Sequence, residues 1–379
     1  MNCEFSIAEL RSALKPVNAR SAPGPDKITY AALRNLDGKS QQALLQAYNT
    51  SWQQGRLPHS WKEAMVVPIL KPGKPPTALS SFRPVSLTSC MGKLMERMVL
   101  HRLEWWMEKQ GVFPQEMAGF RRHRSSLDPV LDLVSTVQQA RAHRRIVVAV
   151  FLDIKRAYDT VSHVCVLHAL RTFGLSGRMF SWLKDFLTDR SVCVRTSNGS
   201  GSQHAVPQGV PQGSILSPIL FNVVMAGLTS IIPRKVAFSI YADDVAIWTK
   251  GKSRPAIQRR LQLALNNIHK YFTQLGMDIS PEKCAELPFT RKAMVRFPLY
   301  VGLTQLEAVR YHRFLGVVID SELRWTRHVK YLEAKAQRWI CAIQHLAGPR
   351  WGCDQHCLLG VHRALIRATV LYSLPVLHR

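Results

Sequence analysis

Acidic residues are scarce in this chain. Its 379 residues include 25 Asp and Glu against 51 Lys and Arg, a formal net charge of +26. A field of that sign favours a polyanionic partner, nucleic acid or anionic membrane, with an affinity that falls steeply with salt. Cysteine is sparse as well: the eight residues are scattered, which argues against a disulfide framework and fits reduced thiols. No run of about 18 or more apolar residues stands out, so no membrane partner is expected. Glu4 and Glu9 interrupt the stretch where a signal peptide would need apolar continuity. The expectation is an intracellular protein of the nucleus or cytoplasm, not a secreted one. A repeat of solenoid length and a low-complexity tail are both missing. What remains is globular: 46% hydrophobic and 20% charged residues, with ordinary Gly and Pro counts of 21 each. The length suits two to three domains or one composite enzyme of several subdomains.

Punctuation and periodicity divide the chain. In APGPD, Ala22 to Asp26, Pro23 and Pro25 fix φ and Gly24 is free to take a positive one, which predicts a rigid turn. A short strand, Met65 to Leu70, runs into a loop with Lys71 and Lys74, and SSFRPVSLTS places Arg83 and Pro84 before a helical pattern, MGKLMERMVLHRLEWWMEK. GFRRHRSSLD, Gly119 to Asp128, opens another amphipathic helix. IVVAVFL is a continuous apolar run, as in a strand buried on both faces, and it ends directly in Asp153. Asp159 is placed to cap the helix TVSHVCVLHALRTFG, which Gly174 closes. Further on come a hairpin turning at Asn198 and Gly199, a Pro- and Gly-marked loop entering an apolar helix, and a strand, YHRFLGVVID. The stretch from Trp325 to Arg379 is basic and mainly helical.

FSIYADDVAIW reads as strand, tight turn, strand, with Asp243 and Asp244 at the turn. Two adjacent carboxylates repel, and the pKa of one should rise unless a Lys, an Arg or a divalent cation compensates. Carboxylate oxygens without neighbouring His or Cys make a hard-cation site, suited to Mg²⁺ or Mn²⁺. Asp153, at the end of another apolar strand, is the natural third acid. Any one of these could be a turn or cap residue, but three together could hold two ions that clamp the attacking and leaving oxygens of a phosphoryl transfer.

LDIKRAYD, PQGSILSP and YADD, in this order with an upstream RPVSL, resemble the palm motifs of reverse transcriptases. SAPGPD, GFRRHRSSLD and FLGVVID narrow the likeness to non-LTR (LINE-type) retrotransposons. The resemblance runs from about residue 20 to the final helices. It implies an α+β right-hand polymerase fold, with fingers, a palm whose antiparallel sheet carries the catalytic acids, and a helical thumb. The boundaries it suggests are an N-terminal extension with the PGPD motif over 1–51, fingers and palm over 52–320, and a thumb over 321–379. The implied activity is RNA-directed DNA polymerisation, extending a primer 3′-hydroxyl with dNTPs by a two-metal reaction. An RNA template and a DNA primer or target DNA are the implied partners.

The resemblance also distributes roles. Asp153 and Asp243 would be the main metal ligands, with Asp244 beside them and the backbone carbonyl of Ile154 as an extra ligand. Tyr158 stands where the family carries an aromatic gate against a 2′-hydroxyl; without the motif it is equally a buried aromatic. Gln212, Gly213 and Ser214 match the loop that packs on the incoming nucleotide and template, although a helix-entry turn would use the same residues. Lys71 and Arg83 resemble the binders of the triphosphate, Lys283 a lysine near the leaving pyrophosphate, and Leu315 and Gly316 the primer grip. Gln115, Phe120 and Arg121 resemble template-side contacts.

The duplication VPQGVPQG departs from the family pattern, and function is assigned to the second copy because it leads into SILSP. Cys353 and Cys357, with His345 and His362 nearby, lack a second Cys pair, so zinc is not expected. Autonomous elements of this family also carry an endonuclease, for which the chain has no room; a truncated remnant that binds nucleic acid without catalysis is the alternative reading. An RNA-dependent RNA polymerase is disfavoured, since the resemblance there would be to GDD and to a site without the aromatic gate.

Overall fold

The structure is a computed structural model that describes residues 2–196, 199–290, 296–348 and 351–377. It divides into two compact units, each assembled from three stretches of chain.

The first unit comprises Met1–Pro114, Arg156–Thr229 and Phe272–Met277. Its sheet has the order Phe82–Leu87, Glu63–Leu70, Ser191–Thr196, Gly199–Ala205. The first two strands are antiparallel, with Ile69 opposite Arg83, and the second and third run parallel. The turn expected at Asn198 lies outside the described residues, and Gly199 is the first residue of the returning strand, paired with Thr196. Helix Cys90–Lys109 is capped by Ser89, whose hydroxyl accepts from the Gly92 N–H. Leu94, Met95, Met98, Val99, Leu103 and Met107 are buried on it at helical spacing. Against the cap lies the PGPD turn. Gly24 is not left-handed as expected; a Cβ there would stand 2.6 Å from the Ser89 nitrogen, so close approach requires the glycine.

Asp159 also departs from expectation. It sits in a short helical turn, Ala157–Thr160, and the following helix, His163–Thr172, starts after Ser162 because Val161 is extended. Gly174 does end that helix, at φ 89°, its N–H donating to the Arg171 carbonyl.

The second unit comprises Gln115–Lys155, Ser230–Tyr271 and Asp278–Arg379. Its sheet has the order Glu307–Ala308, Ala285–Phe289, Ile146–Asp153, Asp244–Gly251, Ala237–Tyr241. The four longer strands are antiparallel neighbours and the short edge strand is parallel. Ile146–Asp153 is central, and Val147 to Leu152 are all at most 4% exposed, which explains why its sequence shows no alternation. Val147, Ala149 and Phe151 pack with Val130, Leu133, Val134 and Val137 of helix Asp128–Ala142. Each such large side chain contributes about 1.5–3 kcal/mol by burial. Helix Arg254–Gln274 buries Ile257, Leu261, Ala264, Leu265, Ile268 and Phe272, spaced three and four apart.

YHRFLGVVID is a hairpin and not one strand. Tyr311–Phe314 and Val317–Asp320 pair around Leu315 (φ 45°) and Gly316 (φ 84°), a two-residue turn with both central residues left-handed. The terminal stretch is helical, as expected: Thr326–Leu346, Gln355–His362 and Ala368–Leu377. Gln355–Leu377 is also long and apolar enough, by length and composition, to cross a membrane. No unbroken apolar run marks it in the sequence, because His362, Arg363 and Arg367 interrupt the apolar residues.

Candidate active site

Register places the acids. Asp153 ends the central strand opposite Asp244, which starts its neighbour, while Asp243 occupies the two-residue turn with Ala242. Ala242 adopts φ 56°, a conformation that costs a residue with a Cβ about 1–2 kcal/mol, so the turn stores strain at the site itself. Both Asp243 and Asp244 reach solvent at the tip. Crowding by protein still pushes the Asp244 pKa up to about 6, first by burial and then by the charges of Asp243 and Asp153. Asp243 is raised also, chiefly by burial, against its own backbone N–H and with Asp153 adding to the rise. The expected repulsion between the adjacent acids is therefore present.

The lysine of this site pairs with the third acid and not with the adjacent two. Lys283 Nζ lies 3.0 Å from Asp153 Oδ2. Ser280 N–H donates to the Asp153 carbonyl and Lys155 N–H to that of Asp278, so an Ile154–Ile279 bridge ties the PEK turn to the strand end. Those two bonds use the carbonyl before Ile154 and the N–H after it, and the Ile154 carbonyl belongs to neither. Among the described residues no three carboxylate, His or Cys side chains already close into a cage. Yet Asp153 acts electrostatically on both other acids. The two observations agree if Asp153 is turned toward Lys283. The three carboxylates fit a hard divalent cation once Lys283 releases Asp153. The Cys284 thiol beside them accepts from the Asp153 N–H at 3.5 Å, and burial pushes its pKa up to about 11, which keeps it protonated and a poor ligand.

GFRRHRSSLD meets this hairpin from the sheet edge. Ile240 N–H donates to the Glu116 carbonyl and Ala118 N–H to that of Ile240, extending the sheet through Met117. Gly119 then lies against the turn, where a Cβ would stand 2.5 Å from the Ala242 nitrogen. Gln115 and Phe120 are exposed, Phe120 with φ 55°, and Arg121 donates to the Met117 carbonyl at 2.9 Å. The expected primer-grip turn is pinned from the last helix: Tyr372 Oη donates to the Leu315 carbonyl and meets Ser126 Oγ, both at 2.8 Å. Sequence reading missed Tyr372, because nothing local marks one tyrosine in an apolar helix.

In the other unit, Lys71 directly follows strand Glu63–Leu70 and Arg83 stands on its antiparallel neighbour Phe82–Leu87. Lys71 donates to the Ser80 carbonyl at 2.8 Å, and Arg83 is exposed. Tyr158 is half-buried and stacks on Phe221 at 4.7 Å between ring centroids, while its carbonyl accepts from Val210 N–H at 2.7 Å. The first PQG copy braces that segment. Gly209 N–H donates to the Val161 carbonyl at 2.8 Å, and a Cβ on Gly209 would meet the Asp159 carbonyl at 2.7 Å. Gln212 Nε2 donates to Asp159 Oδ1 at 2.7 Å, which is the role Asp159 takes in place of the expected cap. Gly213 has a positive φ of 135°, with the Ser86 carbonyl occupying the place a Cβ would take. Ser214 is buried on Glu96. Glu96 carries no motif that announces it, whereas Asp159 ends LDIKRAYD but its partner Gln212 is not visible in that stretch.

Helices packed on an antiparallel sheet that gathers its acids at one end define a right-hand polymerase fold. A solved telomerase from Candida tropicalis, in complex with a fragment of telomeric RNA, shares it with a TM-score of 0.51 at 13% identity, over 89% of this chain and 58% of that one. Residues 69–332 match the family described as reverse transcriptase (RNA-dependent DNA polymerase), and the chain belongs to that family. Over 378 residues it is 27% identical to the RNA-directed DNA polymerase from mobile element jockey of Drosophila melanogaster, covering 98% of this chain and 41% of that protein. It is 26% identical to the retrovirus-related Pol polyprotein from type-1 retrotransposable element R2 of Nasonia vitripennis, covering 81% of this chain and 31% of that protein. The chain thus spans about two fifths or less of these curated relatives.

Proposed function

We propose that this chain is the polymerase portion of a non-LTR retrotransposon protein, extending a DNA primer, or a nick in target DNA, with dNTPs on an RNA template. The observation that carries the reading is the register pair Asp153–Asp244 with Asp243 in the adjoining turn. Asp153, Asp243 and Asp244, with the Ile154 carbonyl, would hold Mg²⁺ (or Mn²⁺), which when bound neutralises phosphoryl charge and lowers the pKa of the attacking 3′-hydroxyl. Lys71 and Arg83 bind the triphosphate, the arginine by forking two oxygens. Tyr158, braced by Phe221, excludes a 2′-hydroxyl. Gln212 and Gly213 pack on the nucleotide, and Gln115, Phe120, Arg121, Leu315 and Gly316 line the template and primer. Lys283 protonates or neutralises the leaving pyrophosphate once it has released Asp153. The final helices, from about residue 321, act as the thumb, and the protein works in the nucleus or cytoplasm.

Primer extension on homopolymer RNA with Mg²⁺ tests the reading. Extension that survives Asp243→Asn would overturn the metal assignment, and Tyr158→Val should raise ribonucleotide incorporation. Nucleic-acid binding with no extension by the unaltered chain would favour a catalytically silent protein instead.

A further inference from the structure

The Gln212–Ser214 loop is held from two sides by one continuous piece of chain. Ser86, on the strand that carries Arg83, donates its N–H to the Gln212 carbonyl at 2.7 Å, and its own carbonyl fills the space a Gly213 side chain would need. Ten residues on, after the Ser89 cap, helix Cys90–Lys109 presents Glu96. This carboxylate is 2% exposed, and a single oxygen, Oε2, accepts both the Ser214 hydroxyl at 2.5 Å and the Ile215 N–H at 2.8 Å. Ser214 Oγ in turn accepts from Leu216 N–H at 3.1 Å, at the start of the apolar helix Ser217–Ala226.

A buried carboxylate is costly unless its charge is balanced. Here the two bonds to Oε2 offset part of that cost, and the one buried cation that feels the charge, Arg190 at 4% exposed, makes no ion pair with it among the described residues: burial pulls its guanidinium pKa down and Glu96 pushes it back up. Arg190 is itself anchored, donating Nη1 to the Phe186 carbonyl at 3.0 Å. A plain helix-entry turn needs none of this, because its N–H groups can be met by water or by a local cap. The chain commits a buried carboxylate to one loop.

We propose that Glu96 is a positioning residue for nucleotide insertion. It holds the Gln212–Ser214 loop at a fixed distance from Arg83, so that the groups meeting the base and sugar keep step with the group gripping the triphosphate. The inference rests on the reading of that loop as nucleotide-binding.

The test compares Glu96→Ala, Glu96→Gln and Ser214→Ala in the full chain, by steady-state extension, primer–template binding and amide exchange of residues 209–216. Gln offers one carbonyl oxygen where Oε2 accepts both bonds. Expected results are a fall of about tenfold or more in kcat/KM for dNTP in Glu96→Ala, carried by KM, with primer–template affinity unchanged. Glu96→Gln should recover most of the loss, and Ser214→Ala should show a smaller one. Unchanged dNTP KM in Glu96→Ala, or primer–template affinity that falls in parallel, overturns the proposal. If Glu96→Ala does not fold, Ser214→Ala decides by the same two readouts. Amide exchange separates the two readings. Faster exchange at Ile215 in Glu96→Ala or Ser214→Ala shows the clamp even in a chain that does not polymerise, and unaltered exchange refutes it even in one that does.

Discussion

Gly119 and Ala242 touch backbone to backbone, and a Cβ on Gly119 would stand 2.5 Å from the Ala242 nitrogen. The basic GFRR segment is thereby seated on the turn that holds Asp243. Since the obstacle is main chain and not a flexible side-chain end, Gly119→Ala must displace the turn. It should cost about 1–3 kcal/mol in stability, as overpacking does, and lower primer extension by more than it lowers melting temperature. Wild-type extension by the folded variant would show that the turn tolerates the shift.

Strain at Ala242 gives a prediction of opposite sign. With φ 56°, Ala242→Gly relieves a left-handed residue and should raise stability by about 1 kcal/mol, less the extra chain entropy of glycine. Chemical denaturation measures it directly.

Lys283 competes with a cation for Asp153. Both side chains of this pair are well exposed, so its loss should change stability by less than about 1 kcal/mol. Lys283→Ala should nevertheless tighten Mn²⁺ binding, read by electron paramagnetic resonance. Weaker binding would mean that the lysine assists the ion.

Protons compete at the same place. Asp244 is pushed up to about 6 and Asp243 is raised; metal binding needs both ionised. Raised values keep protons on to higher pH, so Mn²⁺ affinity should fall as pH drops through about 6. Equal affinity at pH 5.5 and 7.5 would contradict the shift.

Glu286 should make stability depend on pH. It is 0% exposed as the second residue of strand Ala285–Phe289; Oε1 accepts from Phe297 N–H at 3.0 Å, while Oε2 has no partner among the described residues. Burial pushes its pKa up to about 7, against an ordinary 4.5. Between those values the folded state binds more protons than the unfolded, so stability falls as pH rises from about 4.5 through 7, and the full cost remains above it. Glu286→Gln keeps the acceptor for Phe297 and removes the charge, and should recover about 3 kcal/mol at pH 8 and little at pH 4.5. Denaturation curves at the two pH values check this.

Local chemistry made much of the molecule legible. IVVAVFL, the apolar spacing of Arg254–Gln274 and the YADD turn each announce their structure, because periodicity and turn chemistry act over a few residues. Asp159 misled for the same reason: its sequence suits a cap, while the extended Val161 moves the helix start to His163 and frees the carboxylate for Gln212. YHRFLGVVID reads as one strand because Leu315 carries no turn signal, yet the hairpin forms with Tyr372 holding its carbonyl from 57 residues away.

The sequence by itself determined the class of chemistry, since three acids at apolar strand ends in a +26 chain can serve little besides cations and phosphates. Only the tertiary structure decided the partners: Lys283 on Asp153, Glu96 under Ser214, Gly119 against Ala242. Those pairs are separated by 118 to 130 residues, and contacts at such range are selected by sheet register and helix packing, which no single stretch of sequence displays.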